Sequence, residues 1–335
     1  METLLEQLHC SICLEPLRAP CTLACGHTFC MEHLDAMEHC PMRDGGEIPP
    51  AGSRRVNIAM QAALEQLDAQ LCRADPRDVA LGELVHRGAG GTVYRGTFQG
   101  NAAAVKQLNL PAGASESLTM QQLREMEILR QCQHPGIIRL LGMCPPPEAY
   151  IVLPWFEHGD LARAIAARRE EEPLPGPVTL HVAMAIADAL AFLHGRNILH
   201  RDLKPSNVLL TAPLDDGGIL AVEHPCVLTD FGVSRPQGLA TMTSGVGTPA
   251  YAALEVLDSQ PYGKPADVYS FGMCVYELLA GKAPFSELPG PMQIMMQLSR
   301  GGRPAIPEAA TRTAHGRLLA ELMARTWHRT PRCGR

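Results

Sequence analysis

The chain has 335 residues, enough for two domains, or one large and one small. Hydrophobic residues make up 46% and aromatics only 4%, so a sizeable core must be filled by Leu, Ala, Val, Ile and Met. A formal net charge of -6 gives no ground for a general affinity for nucleic acid or anionic membrane. The N-terminus lacks a basic region followed by an apolar core, so no secretory signal is expected. No run of about 18 apolar residues stands out as a membrane span; the longest stretch, residues 182–193, is broken by Asp188 and reads as a buried helix. Six of the twelve cysteines fall within the first 40 residues, beside histidines. Without a secretory signal such clusters read as metal ligands rather than disulfides, and a cytoplasmic location is expected.

Cys10 and Cys13 have the Cys-x-x-Cys spacing, followed by Cys25-x-His27-x-x-Cys30-x-x-His33 and then Cys40-Pro41. A tight Cys-x-x-Cys turn points two thiolates at one tetrahedral ion, with Zn–S about 2.3 Å. Over so short a segment, metal replaces the core that the chain cannot build. These residues resemble the RING family, in which ligand pairs interleave. The resemblance implies that Cys10, Cys13, Cys30 and His33 hold one zinc ion and that Cys25, His27 and Cys40 hold a second. The family's closing Cys-Pro-x-Cys reads Cys40-Pro41-Met42-Arg43 here, so a ligand is missing from the second site. Asp44 or a water is a candidate for that place, and His39 a weaker one. The resemblance also implies recruitment of a ubiquitin-conjugating enzyme through Ile12 and the Pro41 region, with no catalytic residue in the module. The alternative is a zinc-bound scaffold. Cys21 fits no ligand position and reads as structural or incidental.

Residues 1–50 therefore form one domain and residues 51–77 a connector. The connector has a helical pattern over 56–71, with apolar Ile58, Ala62, Leu64, Leu67 and Leu71, closed by Asp75-Pro76-Arg77. Residues 78–335 read as one unit, β-rich over about 78–153 and α-rich over about 160–335. It opens on His86-Arg87-Gly88-Ala89-Gly90-Gly91-Thr92-Val93, a glycine-rich turn whose backbone amides can approach phosphate oxygens. Ala104-Val105-Lys106 ends the next apolar strand. A helix over 117–132 carries Glu125, the carboxylate expected to hold Lys106; Glu127 lies about 200° further round that helix. Another strand, 150–153, leads into Leu153-Pro154-Trp155-Phe156-Glu157-His158-Gly159-Asp160. Residues 170–177 are acidic and proline-rich and read as a loop.

The strongest signal is His200-Arg201-Asp202-Leu203-Lys204-Pro205-Ser206-Asn207, with Asp230-Phe231-Gly232 downstream. It resembles the catalytic loop of the protein-kinase family at every defining position. The implied fold class is α+β: a bilobal protein-kinase fold, with a β-rich N-lobe and an α-rich C-lobe, preceded by a small zinc-bound RING-like domain. The implied cofactors are ATP, Mg2+ and Zn2+, and the implied partners are protein substrates and a ubiquitin-conjugating enzyme. By the same resemblance Asp202 accepts the substrate proton and Lys204 neutralises the γ-phosphate. Asn207 and Asp230 hold magnesium, and Lys106, held by Glu125, fixes the nucleotide tail. Gly88, Gly91 and Val93 cover the nucleotide. Pro154 and Phe156 pair with adenine through the C=O of the first and the N–H of the second, and Asp160 reaches the ribose. Lys204 accompanies serine/threonine specificity, and the hinge with Gly302-Arg303-Pro304 looks like the tyrosine-kinase-like branch.

Several positions depart from the pattern. His86 stands for the first glycine of the usual loop, Leu254 for the proline of Ala-Pro-Glu, and Gly334 near the place of the arginine that partners Glu255. Residues 211–225 form an insertion. Thr241, Thr243 and Ser244 are candidate phosphate acceptors for Arg201, or a plain polar loop. The rival functions are a RING ubiquitin ligase whose kinase-like domain recruits substrate, and a non-catalytic scaffold.

Overall fold

The computed structural model of the chain describes residues 10–12, 17, 19–35, 37–42, 46–62, 74–88, 91–109, 126, 128–168, 174–230, 235–236, 249–258, 260 and 262–327. The chain divides into two units, residues 1–131 with 140–155, and residues 132–139 with 156–335.

In the first unit, Pro20–Thr22 (β1) pairs antiparallel with Thr28–Cys30 (β2), turning through Gly26. A single 3-10 turn, Met31–Leu34, follows. The apolar core beneath is small: Leu17, Cys21, Leu23, Phe29 and Leu34, with Ile48 and Met60 packed on it. Cys21 is buried in β1 as a small apolar residue, the structural role its spacing suggested. Arg54 stitches the chain after the module. Its Nε donates to Pro49 O at 2.8 Å and an Nη to Leu34 O at 3.1 Å, and it pairs with Asp35. Asn57 then starts the connector helix. Its side chain accepts the Met60 N–H at 3.0 Å while its amide nitrogen donates to Thr22 Oγ1 at 2.8 Å. That cap sets the first helical residue at Ile58, later than the expected 56, because Asn57 must stay non-helical to cap. Residues 63–73 of the expected helix lie outside the described residues.

The same unit holds a five-stranded antiparallel sheet in the order β3-β4-β5-β7-β6: Val79–Gly88 (β3), Gly91–Phe98 (β4), Asn101–Leu108 (β5), Gly142–Cys144 (β6) and Tyr150–Pro154 (β7). Gln99 and Gly100 both take positive φ, the two-residue turn that suits the twist of a hairpin. Gly91 is required where β4 begins, since a Cβ there would meet Gln107 O at 2.2 Å and φ is +143°. Ala103, Val105, Ile151 and Val152 fill the sheet's interior. Of the helix expected over 117–132, residues 126 and 128–131 are described and helical, and it ends at Gln131.

The second unit is largely helical: Leu161–Ala166 (α1), Gly176–Gly195 (α2), Leu254–Leu257 (α3), Lys264–Ala280 (α4), Pro291–Ser299 (α5) and Ala314–Thr326 (α6). Short strand pairs lie between them: Ile198–Leu199 (β8) with Arg235–Pro236 (β11), and Val208–Leu210 (β9) with Cys226–Leu228 (β10). The proline-rich loop ends sooner than expected, at Pro175. Pro177 sits in the first turn of α2, where its missing N–H has no intrahelical partner to lose. By length and composition α2 is apolar enough to cross a membrane, with 20 residues and a mean hydropathy of 1.6. It instead packs on α4 and α6 and buries Val178, Val182, Ile186, Leu190 and Leu193. Helix α4 is buried almost all round and passes close to α6: a Cβ at Gly272 would lie 1.9 Å from Thr326 Oγ1. The insertion 211–225 is a packed structure. It buries Ile219, accepts a hydrogen bond from Arg168 at Leu214 O (3.0 Å) and places Val222 O 2.9 Å from His181 Nε2.

Candidate functional site

Strand β8 delivers the chain into a loop held from below by α4. Asp267, in the first turn of α4 and 2% exposed, accepts from the backbone N–H of His200 at 2.9 Å and of Arg201 at 2.8 Å. Its Oδ2 also lies 2.8 Å from His194 Nε2, at the end of α2. These bonds hold Arg201 at φ +70°, a costly left-handed conformation that persists only where the surroundings fix it. The guanidinium of Arg201 lies over the Tyr262 ring at 5.2 Å. His200 is fully buried, and burial pushes its imidazole below the ordinary histidine range against the pull of Asp267, Asp202 and Asp230.

Beyond the strained turn, three polar side chains converge. Asp202 Oδ2 accepts from Lys204 Nζ at 2.8 Å and from Asn207 Nδ2 at 3.1 Å, and Asp202 O accepts from Asn207 Nδ2 at 2.7 Å. Asn207 is 6% exposed and closes the 3-10 turn Pro205–Asn207, so its amide nitrogen is committed inward and its Oδ1 remains an acceptor. Thr229 N–H donates to Asn207 O at 3.0 Å, which brings the end of β10 beside the loop. The next residue, Asp230, is exposed and takes φ +64°. Both residues offer hard oxygen donors, which fit a magnesium ion. Phe231 and Gly232 lie outside the described residues. Asp160 caps α1 by accepting the Arg163 N–H at 2.9 Å, so one of its oxygens is engaged locally.

In the first unit, Lys106 on β5 stands opposite Val93 on β4 and Ile151 on β7, which puts the expected phosphate lysine and the expected nucleotide cover on one face of the sheet. Gly88 and Gly91 face each other at the β3–β4 turn. Pro154 ends β7 opposite Ala103, and Trp155 lies under the Arg95 guanidinium at 5.1 Å. Glu125, the expected partner of Lys106, lies outside the described residues.

The two sets of zinc candidates come together as separate triads, Cys10–Cys30–His33 and Cys25–His27–Cys40, each with its ligand atoms within 4.8 Å of one another. Cys10 Sγ is 3.4 Å from His33 Nδ1, and Cys40 Sγ is 3.7 Å from His27 Nδ1. An S···N edge of about 3.5 Å is what a tetrahedral zinc with ordinary bond lengths spans, so both triads fit that ion. The interleaving of ligand pairs follows from β2: Cys30 turns to one triad while the β1–β2 loop gives Cys25 and His27 to the other. Cys13, Arg43 and Asp44 lie outside the described residues. Ile12 is half-buried and Pro41 exposed.

A family model described as the protein kinase domain matches residues 80–331, about three quarters of the chain. The chain belongs to the protein kinase family. A model of the RING-type zinc finger matches residues 10–46. Among similar curated proteins, mitogen-activated protein kinase kinase kinase 10 of Mus musculus is 33% identical over 237 residues, covering 69% of this chain and 25% of its own length. Serine/threonine-protein kinase STY46 of Arabidopsis thaliana is 30% identical over 253 residues, covering 75% of this chain and 41% of its own. Mitogen-activated protein kinase kinase kinase 11 of Homo sapiens is 34% identical over 215 residues, 62% of this chain and 25% of its own. The chain thus spans between a quarter and about two fifths of the length of these relatives.

Within the kinase domain, some bracing contacts join residues far apart in sequence. His194 meets Asp267 from 73 residues away, a pairing that no local spacing encodes. Tyr251 donates its hydroxyl to Glu277 on α4, and burial raises the pKa of both groups. Arg303, in the expected Gly-Arg-Pro segment, donates to Trp327 O at 2.9 Å and lies over the Tyr269 ring at 5.5 Å. Thr241, Thr243, Ser244, Gly247, Thr248, Pro331 and Gly334 lie outside the described residues.

Proposed function

We propose that this chain transfers the γ-phosphoryl group of ATP to serine or threonine hydroxyls of proteins. The observation that carries this reading is the Asp202–Lys204–Asn207 cluster, held by Asp267 beside Asp230. Phosphoryl transfer through a loose transition state needs positioning and charge neutralisation more than covalent chemistry. Asp202 takes both side-chain hydrogen bonds on Oδ2, and its Oδ1 orients the substrate hydroxyl and accepts its proton. Lys204 offsets charge on the γ-phosphate. Lys106, Gly88, Gly91 and Val93 hold the nucleotide from the sheet, Pro154 and Phe156 its adenine, and Asp160 its ribose. Asn207 and Asp230 would hold Mg2+, whose charge neutralises the phosphates. Lys204 and the relatives called serine/threonine kinases support the choice of acceptor. The test is transfer from labelled ATP to a generic protein substrate, comparing the chain with Asp202→Asn. Transfer by both proteins alike, or by neither when both are folded, overturns the assignment.

A second activity has support of its own. Both zinc triads are assembled on a folded hairpin, and Pro41 and Met42 are exposed beside the second. In this reading the module recruits a ubiquitin-conjugating enzyme through Ile12 and the Pro41 region, and the kinase domain supplies the substrate. The fourth place of the second site, which the sequence leaves without a cysteine, limits the metal affinity there. Arg43→Cys should raise the zinc content toward two ions per chain and slow zinc release to a chelator. Unchanged content and release would show that the place is already filled.

A further inference from the structure

The glycine-rich turn begins with a histidine where a glycine is usual, and the sheet aims that histidine. Strand β3 carries a bulge between Leu84 and His86: Leu84 stands opposite Tyr94 but His86 stands opposite Val93. Tyr94 and Val93 are adjacent on β4 and point to opposite faces. Without the bulge, residues 84 and 86 would share a face. The extra residue, Val85, turns His86 onto the face of Val93, and Val93 in turn stands opposite Lys106. His86, Val93 and Lys106 therefore form one cross-strand row, with the imidazole and the ammonium two strand spacings apart, about 10 Å. The His86 ring does not swing away from the turn. Its Nε2 would lie 3.1 Å from a Cβ placed on Gly88, so the imidazole occupies the space beside the glycine whose backbone is expected to meet phosphate.

We propose that His86 is a phosphate-binding residue of the nucleotide site, donating from Nε2 to the polyphosphate. This inference rests on the ATP-binding reading above. The charged groups around the ring leave that role open. Lys106 lies on the same face from β5, and Arg95 lies further along β4 opposite Glu83 of β3. Arg87 is adjacent on β3, opposite Thr92, and so belongs to the other face. Asn109, past the end of β5, donates to Gly88 O at 3.4 Å and adds no charge. Among the described residues Glu83 is the acidic group in this part of the face, and it stands opposite its own arginine. With Glu83 set against Arg95, Lys106 is the remaining positive charge among the described residues of this face, and it suits a polyphosphate.

The experiment is equilibrium binding of Mg·ATP and of adenosine to the full chain, for the natural protein, His86→Gly and His86→Gln, with thermal melts as a folding control. Adenosine has no phosphate and reports the rest of the site. The expected result is an ATP affinity about five- to tenfold weaker in both variants than in the natural protein, and no change for adenosine. Affinities for ATP that are equal across the three proteins would overturn the proposal. So would tighter binding by His86→Gly, which would make the ring an obstruction. Failure of the natural protein to bind either ligand would overturn the ATP-binding reading itself, and this inference with it.

Discussion

The catalytic loop and the zinc module both hold a few polar groups at fixed separations. Asp267 acts from inside a helical core in which α4 is buried almost all round, so its carboxylate serves as a rigid floor for His200 and Arg201. The cysteine–histidine triads rest on a two-strand hairpin and a handful of apolar side chains. Each triad collects residues from separate turns, and a set of converging thiolates repels itself without a cation among them. One arrangement is fixed by burial and the other by its ligand. Perturbations should therefore separate the two regions.

The largest effect is expected from metal. Structural zinc contributes roughly 10–16 kcal/mol of apparent binding free energy in small modules, much more than this core supplies. Exhaustive removal of zinc, with Mg2+ restored in excess for the assay, should abolish amide protection over β1 and β2 while leaving phosphotransfer close to its starting rate. Persistent protection in the stripped protein would mean that Phe29, Leu34 and their neighbours suffice. A parallel loss of phosphotransfer would tie the two regions together.

Next comes Asp202→Asn, which keeps the shape of the loop and removes the proton acceptor. Loss of a positioned general base costs about 10²- to 10⁴-fold in rate. Zinc content and melting temperature should hold. A residual rate within a few-fold of the natural protein would move the catalytic role elsewhere.

Asp267→Ala should act through structure. It strands the backbone N–H groups of His200 and Arg201 in a buried place, at about 1–3 kcal/mol each. Urea unfolding of the helical unit should shift by a few kcal/mol, and phosphotransfer should fall because Arg201 loses the hold on its left-handed backbone. A stable but inactive variant would instead give Asp267 a part in the chemistry.

These regions also differ in how far the sequence exposes them. The catalytic loop was legible because its eight residues are consecutive, and the zinc ligands because Cys and His are scarce enough for spacing to stand out. The long-range partners of the anchors beneath were harder to see. The pairing of His194 with Asp267 depends on how α2 crosses α4, and nothing within a window of either residue encodes that crossing. The start of the connector helix slipped from 56 to 58 for a local reason, since Asn57 outbid Val56 as the boundary by capping. The same side chain bonds Thr22 across 35 residues, a contact no periodicity contains. The long apolar helix α2 was legible as a helix, but only its packing on α4 and α6 accounts for its apolar length. His86 was legible as a missing glycine, whereas its placement on the Lys106 face needed the bulge at Val85.

The smallest expected effect is a pH dependence that belongs to the helical unit alone. His200 is fully buried, and its desolvation lowers the imidazole pKa below the unfolded value of about 6.5. The unfolded chain therefore binds a proton more readily than the folded one. The stability contributed at this position is fully present above about pH 6.5. It is lost as pH falls toward the depressed folded pKa, with a limiting slope of about 1.4 kcal/mol per pH unit. Both tryptophans, Trp155 and Trp327, lie outside the zinc module, so tryptophan fluorescence does not register acid release of zinc directly. Trp327 packs 6.4 Å from Tyr276 of α4 and reports the unit that contains His200. Between about pH 5 and 6.5, urea midpoints followed by this signal should fall in the natural protein and fall less in His200→Phe, which fills the site without a titrating group. Equal slopes in the two proteins would assign the acid sensitivity to other groups and leave His200 a packing residue.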